Sequence, residues 1–355
     1  MDVSGITRSG VVLPVRMDPT GLSGPKRRES AGPDWRGAGP GWFVPAWVDD
    51  GPQQRIVEAA TRLPATGGVT GWAGLHWGGG RYFNGLDGTG EARLPVPLAL
   101  DNRRRLRPQP GIELCEEFLA DGDITTIDGL PVTLHERSVC RLLRTTRSLE
   151  RRVAILDMAA FDDLCSLSEI LDYAVARLSG RPYVSRIWSA LPLAHENSWS
   201  PREPVMRLVW TLAGRFPTPL VNAPIFDLAD NHLVTPDLLD PVNLVAGEYD
   251  GAVHEGLEPR RRDLNREELY RELGLELVTM LSTDDRDRSD FLRRLASAYD
   301  RAARRPAPSG WTLEQPSWWV DTSTVARRRS LTAAERAIWL RRQATGRHRP
   351  AIPHT

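Results

Sequence analysis

Lysine is nearly absent from this 355-residue chain: Lys26 is the only one, and every other strong cation is arginine. A phosphate-binding loop of the GKS/T kind, or a kinase active site, needs a lysine in the body of the chain, so kinases and P-loop NTPases are excluded. Cysteine is scarce as well. Cys115, Cys140 and Cys165 stand singly, with no CxxC or CxxH pair, which rules out zinc ribbons and disulfide frameworks. Three buried structural thiols are the expectation. No run approaches ~18 consecutive apolar residues, so no transmembrane helix and no membrane partner are expected. The short apolar patch from Gly10 to Val15 contains Pro14 and is closed by Arg16, too short a centre for a secretory signal, so a cytoplasmic location is expected. GxSxG and HExxH are missing. LDGTGEAR lacks the third glycine of a dinucleotide fingerprint, and the seven histidines do not cluster at ligand spacing.

What is present is an ordinary globular composition, 41% hydrophobic and 26% charged, on a chain long enough for two or three domains. The 46 basic and 46 acidic groups cancel overall but not locally. Residues 196–300 hold 12 arginines against 20 carboxylates, a net of −8, whereas residues 301–355 hold 11 arginines against Glu314, Asp321 and Glu335, a net of +8. An acidic block repels phosphates unless a bound cation neutralises it.

Four regions are expected. Residues 1–50, rich in Gly and Pro, read as an irregular arm whose Trp35, Trp42, Phe43 and Trp47 pack against something. Residues 51–195 read as a domain of helices and a small sheet. Pro52 opens a helix with Ile56, Val57, Ala60 and Leu63 on one stripe, strands follow between 93 and 133 with an Asp128-Gly129 turn, and Thr133/Glu136 and Ser166/Glu169 form helix-opening capping boxes. Residues 196–300 give the order αβββαβ. A helix runs from Ser200-Pro201-Arg202-Glu203 to about Gly214, and strands cover Pro219–Leu228, His232–Leu239 and Asn243–Asp250. A helix from Arg260 to Leu273 then precedes a last strand, LELVTML. Residues 301–355 form a basic tail with Trp318, Trp319 and Trp339. It suits nucleic-acid stacking or, as the reading preferred here, docks on the acidic domain and acts as a lid. The fold class expected is α/β in the nuclease-like part and α+β overall.

On the third strand Glu248 and Asp250 are two apart and share a face. If Pro241-Val242 is a two-residue turn, Asp237 lies opposite Ala246 on that same face. Carboxylates converging within apolar strands need a cation between them, and oxygen-rich sets suit Mg²⁺ or Mn²⁺.

The pattern of Glu203, Pro236-Asp237, Glu248-Tyr249-Asp250-Gly251, His254 and the Arg262-Asp263 helix opening, on αβββαβ spacing, resembles the PD-(D/E)XK nuclease superfamily, and within it the very-short-patch-repair endonuclease branch. The stretch with VTGWAGLHW and DITTIDGLPVTLHERSVCRLL resembles, more loosely, the middle of actinobacterial proteins in which such a domain follows an abortive-infection antitoxin-like module. The resemblance implies that Asp237 and Glu248, with Glu203 reaching in, hold a divalent metal that polarises a scissile phosphate. Asp250 stands where the superfamily has a lysine, His254 is the candidate general base or water orienter, and Arg261 and Arg262 are candidate phosphate clamps. The implied activity is metal-dependent phosphodiester hydrolysis of nucleic acid, DNA by preference, in defence or repair. The alternative is a non-catalytic DNA-binding or antitoxin-like regulator, with a protein partner, that keeps the nuclease fold as a scaffold. Structural roles compete for several of these residues: Glu203 as the third residue of a capping box, Asp237 as a turn acid, His254 as a surface histidine, and Arg261 and Arg262 as part of a solvated helix face.

Overall fold

A computed structural model of the chain describes residues 1–87, 90–102, 105–250, 266–305 and 310–344, and these form a mixed α+β protein. It divides into two compact units, Met1–Thr146 with Ser168–Ile187, and Arg147–Leu167 with Trp188–Thr355.

In the first unit the N-terminal arm is mostly loop, as expected, but it carries a small sheet. Strands β1 (Val15–Arg16), β2 (Trp35–Gly39) and β3 (Trp42–Pro45) pair antiparallel in the order β1-β3-β2. Glycines near the hairpin tip adopt positive φ, Gly39 at 145° and Gly41 at 76°, conformations that few other residues tolerate. Trp42 and Val44 face inward and Trp47 stays exposed. Helix α1 (Pro52–Ala60) starts on its proline and buries Ile56, Val57 and Ala60, with Leu63 just beyond.

Strand β4 (Gly68–Val69), helix α2 (Gly71–Trp77) and strands β5 (Val96–Leu100), β6 (Ile112–Glu116), β7 (Ile124–Ile127) and β8 (Leu130–Thr133) follow. They build a five-stranded sheet ordered β6-β5-β4-β8-β7. Asp128 and Gly129 close the β7–β8 hairpin with φ of 48° and 77°, the left-handed pair that matches strand twist. Helix α3 (His135–Thr145) does not use Thr133 as a cap. The Thr133 hydroxyl instead joins a buried chain with Thr70 and Ser138, each link 2.8 Å, because a buried hydroxyl needs a partner more than a solvent-facing helix end does. Cys115, Cys140 and Cys165 are buried and none forms a disulfide among the described residues, and burial pushes the thiols of Cys115 and Cys140 up to about 12, as inert structural cysteines require.

The second unit contains α4 (Leu149–Phe161). After α5 (Leu167–Arg177) and α6 (Ser185–Ala190) it continues with α7 (Glu203–Leu208), which passes into a π-helical turn, Val209–Ala213. Its sheets depart from the simple αβββαβ reading. The first two expected strands each break in two, giving β9 (Leu220–Val221), β10 (Ile225–Asp227), β11 (His232–Val234) and β12 (Leu238–Asp240). The breaks fall at Asn222, whose φ is 47°, with Pro224 close behind, and at Pro236, where the missing N–H interrupts a ladder.

Strand β13 (Val245–Asp250), a helix over residues 266–272 (α8) and β14 (Glu276–Leu281) complete a four-stranded sheet, β14-β13-β12-β9, in which β13 and β14 run parallel. Helix α9 (Ser289–Ala302) packs Phe291 and Leu295 into the core formed by Met206, Trp210, Leu239, Val245 and Met280. Gly247 is required by that packing. A Cβ there would stand 2.8 Å from the Trp210 ring.

The basic tail is part of this unit. Strand β15 (Trp311–Thr312) joins β10 and β11 in a second sheet, and Trp319 stacks on His232 at 5.2 Å. In helix α10 (Val325–Arg329), Arg328 is fully buried, bonded to Asp163 at 2.7 Å and to the carbonyls of Ala160, Glu196 and Thr322. Helix α11 (Ala333–Ala344) opens with a Thr332–Glu335 capping box and sets Trp339 edge-on to Phe161 at 6.0 Å. Among the described residues no helix is long and apolar enough to cross a membrane.

Candidate functional site: a carboxylate cluster on the four-stranded sheet

Three of the acids singled out in the sequence come from separate elements of the second unit. Glu203 is the first residue of α7. The expected start at Ser200 with Pro201 in the first turn does not form; the helix opens three residues later, with Pro204 in its first turn. Glu203 is nevertheless engaged much as a capping glutamate is. Its Oε2 accepts the Trp199 N–H at 2.8 Å, and the Asn222 side-chain amide donates to the same oxygen at 2.6 Å. The residue is 3% exposed. Helix α7 and the segment before it are tied to α4, where Asp157 accepts from the His195 N–H at 2.8 Å, the Ser198 hydroxyl at 2.5 Å and Arg207 of α7 at 2.8 Å.

Asp237 stands immediately before β12. Its Oδ2 accepts the Tyr249 N–H of β13 at 2.8 Å. The register differs from the expected one. Asp240 pairs with Val245 and Leu238 with Gly247, so Asp237 falls opposite Glu248 instead of Ala246. The connection is a four-residue turn, 241–244, held by Asp240 accepting the N–H groups of Val242 and Asn243 at 3.1 and 3.0 Å, with Leu244 at φ 60°. A slip of two residues keeps parity, so Asp237 still shares a face with Glu248.

Glu248 is 14% exposed at its side chain and carries two partners from α8. Arg266 forms an ion pair with it at 2.5 Å, and the hydroxyl of the buried Tyr270 donates to it. These two residues were not read from the sequence, where the helix looked like a solvated charged face. The signal was available in their i, i+4 spacing.

The electrostatics reflect crowding of like charge in an apolar setting. Burial raises the Glu203 carboxyl well above the ordinary range, and the nearby Asp237 charge raises it further. Burial raises Asp237 too, opposed by the Tyr249 N–H and Arg266. Glu248 is pushed up to about 7 by burial, with Asp237 adding to the rise and Arg266 and Tyr270 working against it. The sheet therefore brings Glu203, Asp237 and Glu248 into one electrostatic neighbourhood. Asp250 lies two residues along β13, exposed at its end. His254, Arg261 and Arg262 lie outside the described residues.

As hard oxygen donors these carboxylates suit Mg²⁺ or Mn²⁺ in kind. Asn222, 2% exposed, adds a buried Oδ1 with no hydrogen-bond partner. The acids are not gathered into a cage: among the described residues no three of His, Cys, Asp and Glu stand close enough to hold one ion. Each is drawn toward a protein donor, Glu203 to Asn222, Asp237 to the Tyr249 N–H, and Glu248 to Arg266 and Tyr270. Arg266 supplies the countercharge that burial of these groups demands. No family model, curated protein or solved structure matches the chain.

Proposed function

We propose that the second unit is a nuclease-like domain of the PD-(D/E)XK type, hydrolysing phosphodiester bonds of nucleic acid, DNA by preference, with Mg²⁺ or Mn²⁺. The observation that carries this reading is the placing of Asp237 opposite Glu248 on adjacent strands, with Glu203 beside them, all at raised pKa in a largely apolar sheet. Buried acids that do not improve packing call for a cation.

In this reading Asp237 and Glu248 would hold the metal, with Glu203 and the orphaned Asn222 Oδ1 next to them. The ion would supply Lewis-acid polarisation of the phosphate and a lowered pKa for bound water. Asn222 orients the Glu203 carboxylate through its amide, and the Tyr249 N–H fixes Asp237. Tyr270 and Arg266 hold Glu248 in place, and the Arg266 guanidinium would be the cation at the site available to pair with a substrate phosphate. His254 is the proposed water orienter, and Arg261 and Arg262 the proposed phosphate clamps.

A second reading has its own observation. Arg266 already pairs Glu248 from within, as a scaffold without catalysis would. A non-catalytic DNA-binding or antitoxin-like regulator follows from it. Incubation with plasmid and single-stranded DNA in Mn²⁺ separates the two. The nuclease reading expects cleavage by the native chain that Glu248→Gln and Asp237→Asn abolish with the fold intact. DNA retention without cleavage supports the regulator.

A further inference from the structure

The first unit carries a charged cavity independent of those carboxylates. Helix α3 places Arg137, Arg141 and Arg144 at i, i+4 and i+7, along one face. Arg137 and Arg144 are buried, 8% and 7% exposed, positions where arginine is rare without partners. Each of the three has an acid: Arg137 pairs with Asp123 at 2.9 Å, Arg141 with Glu113 at 2.5 Å and Arg144 with Glu117 at 2.9 Å. Arg137 also donates to the Tyr173 hydroxyl and to the Phe118 carbonyl, both at 3.1 Å. The acids of this seam are thus already taken.

Beside it lies a cavity of about 210 Å³ whose lining includes Glu117, Phe118, Asp123, Arg137, Arg177 and Arg181. That is far more than the ~10–15 Å³ one water molecule needs. Arg177, at the end of α5, and Arg181 are exposed, and among the described residues neither side chain has a hydrogen bond or an ion pair. The Arg181 guanidinium sits over the Phe118 ring at 6.0 Å, and Phe118 is itself 44% exposed.

Two unneutralised guanidiniums therefore stand over a cavity whose floor is a third. We propose that this cavity binds a phosphate monoester. A monoester carries about −1.5 to −2 at neutral pH, which matches the two open charges where a single carboxylate would leave one unpaired. The planar guanidinium fork fits phosphate oxygens in pairs. Phe118 and Leu178 give the organic part of the ligand an apolar wall. The shared chemistry admits two sources, a free phosphorylated small molecule or the terminal phosphate of a nucleic-acid strand.

Calorimetric titration of the full chain with phenyl phosphate tests the proposal, with benzoate and a pair of dinucleotides, 5′-phosphorylated and 5′-hydroxyl, as further arms. Phenyl phosphate should bind one site per chain, at least about tenfold tighter than benzoate, and Arg177→Ala and Arg181→Ala should each weaken it at least about tenfold. Both positions are exposed, so unchanged thermal midpoints confirm that the variants fold. Binding of the phosphorylated but not the hydroxyl dinucleotide identifies a strand end; phenyl phosphate binding without dinucleotide binding identifies a free small molecule. No phenyl phosphate binding to the native chain, or equal binding by both variants, overturns the proposal.

Discussion

Glu248 ties the carboxylate cluster to folding stability in a way that titration exposes. Its carboxyl rises from the ordinary glutamate value of 4.5 to about 7 in the folded chain. The native state therefore binds more protons than the unfolded state between those values, and stability must fall as pH rises through that window. At ~1.36 kcal/mol per pKa unit the loss is roughly 3 kcal/mol, complete by about pH 8. Glu203 and Asp237 are shifted in the same direction and add to the decline. Urea denaturation at pH 5 and pH 8 measures it. Glu248→Gln cannot titrate, so its profile should be flatter than that of the native chain by about that amount, most visibly at pH 8. Parallel profiles for native and variant chains would refute the assignment of this decline to Glu248.

Other expectations follow from packing and pairing. Gly247→Ala forces a methyl against the Trp210 ring and should cost about 1–3 kcal/mol in urea unfolding. Arg328→Ala strips a fully buried cation from Asp163 and three carbonyls. It should destabilise the second unit by about 3–5 kcal/mol, read as an earlier unfolding transition. Arg266→Gln removes the internal countercharge of Glu248, so the Mn²⁺ concentration needed for half-maximal thermal stabilisation should fall; an unchanged concentration dependence would show that Arg266 and the ion do not compete.

Much of the architecture was legible because it rests on local signals. Pro52, the Asp128-Gly129 turn, the helix start after Ser166 and the apolar stripe through Ile56 and Leu63 each act over a few residues, and each falls where expected. The failures are cases in which a distant partner outweighed a local preference. Thr133 gave up capping for a buried hydroxyl chain, Ser200 lost the helix start to the turn that binds Glu203, and Asn222 and Pro236 divided strands that read as continuous. The tail shows the same effect. Its charge invited both a nucleic-acid and a docked reading, yet the burial of Arg328 depends on Asp163, 165 residues earlier. At the carboxylate cluster, parity along β13 was readable, since Glu248 and Asp250 alternate with Tyr249. The partners Asn222, Arg266 and Tyr270 were harder to read, because Asn222 sits in a segment that reads as a continuous strand, and Arg266 and Tyr270, though spaced for one helix face, sit in a segment that reads as a solvated helix.

Thermal unfolding with Mg²⁺, with Mn²⁺ and with EDTA, on the native chain and on Asp237→Asn/Glu248→Gln, decides whether the carboxylate cluster holds a cation. A cation held by the native site raises the midpoint as its concentration rises. A cation-binding site gives a concentration-dependent rise with Mn²⁺ or Mg²⁺ in the native chain that EDTA reverses and the double variant lacks. A native midpoint indifferent to both metals, beside a double variant that is simply more stable for losing its buried charges, would show that the cluster holds no cation.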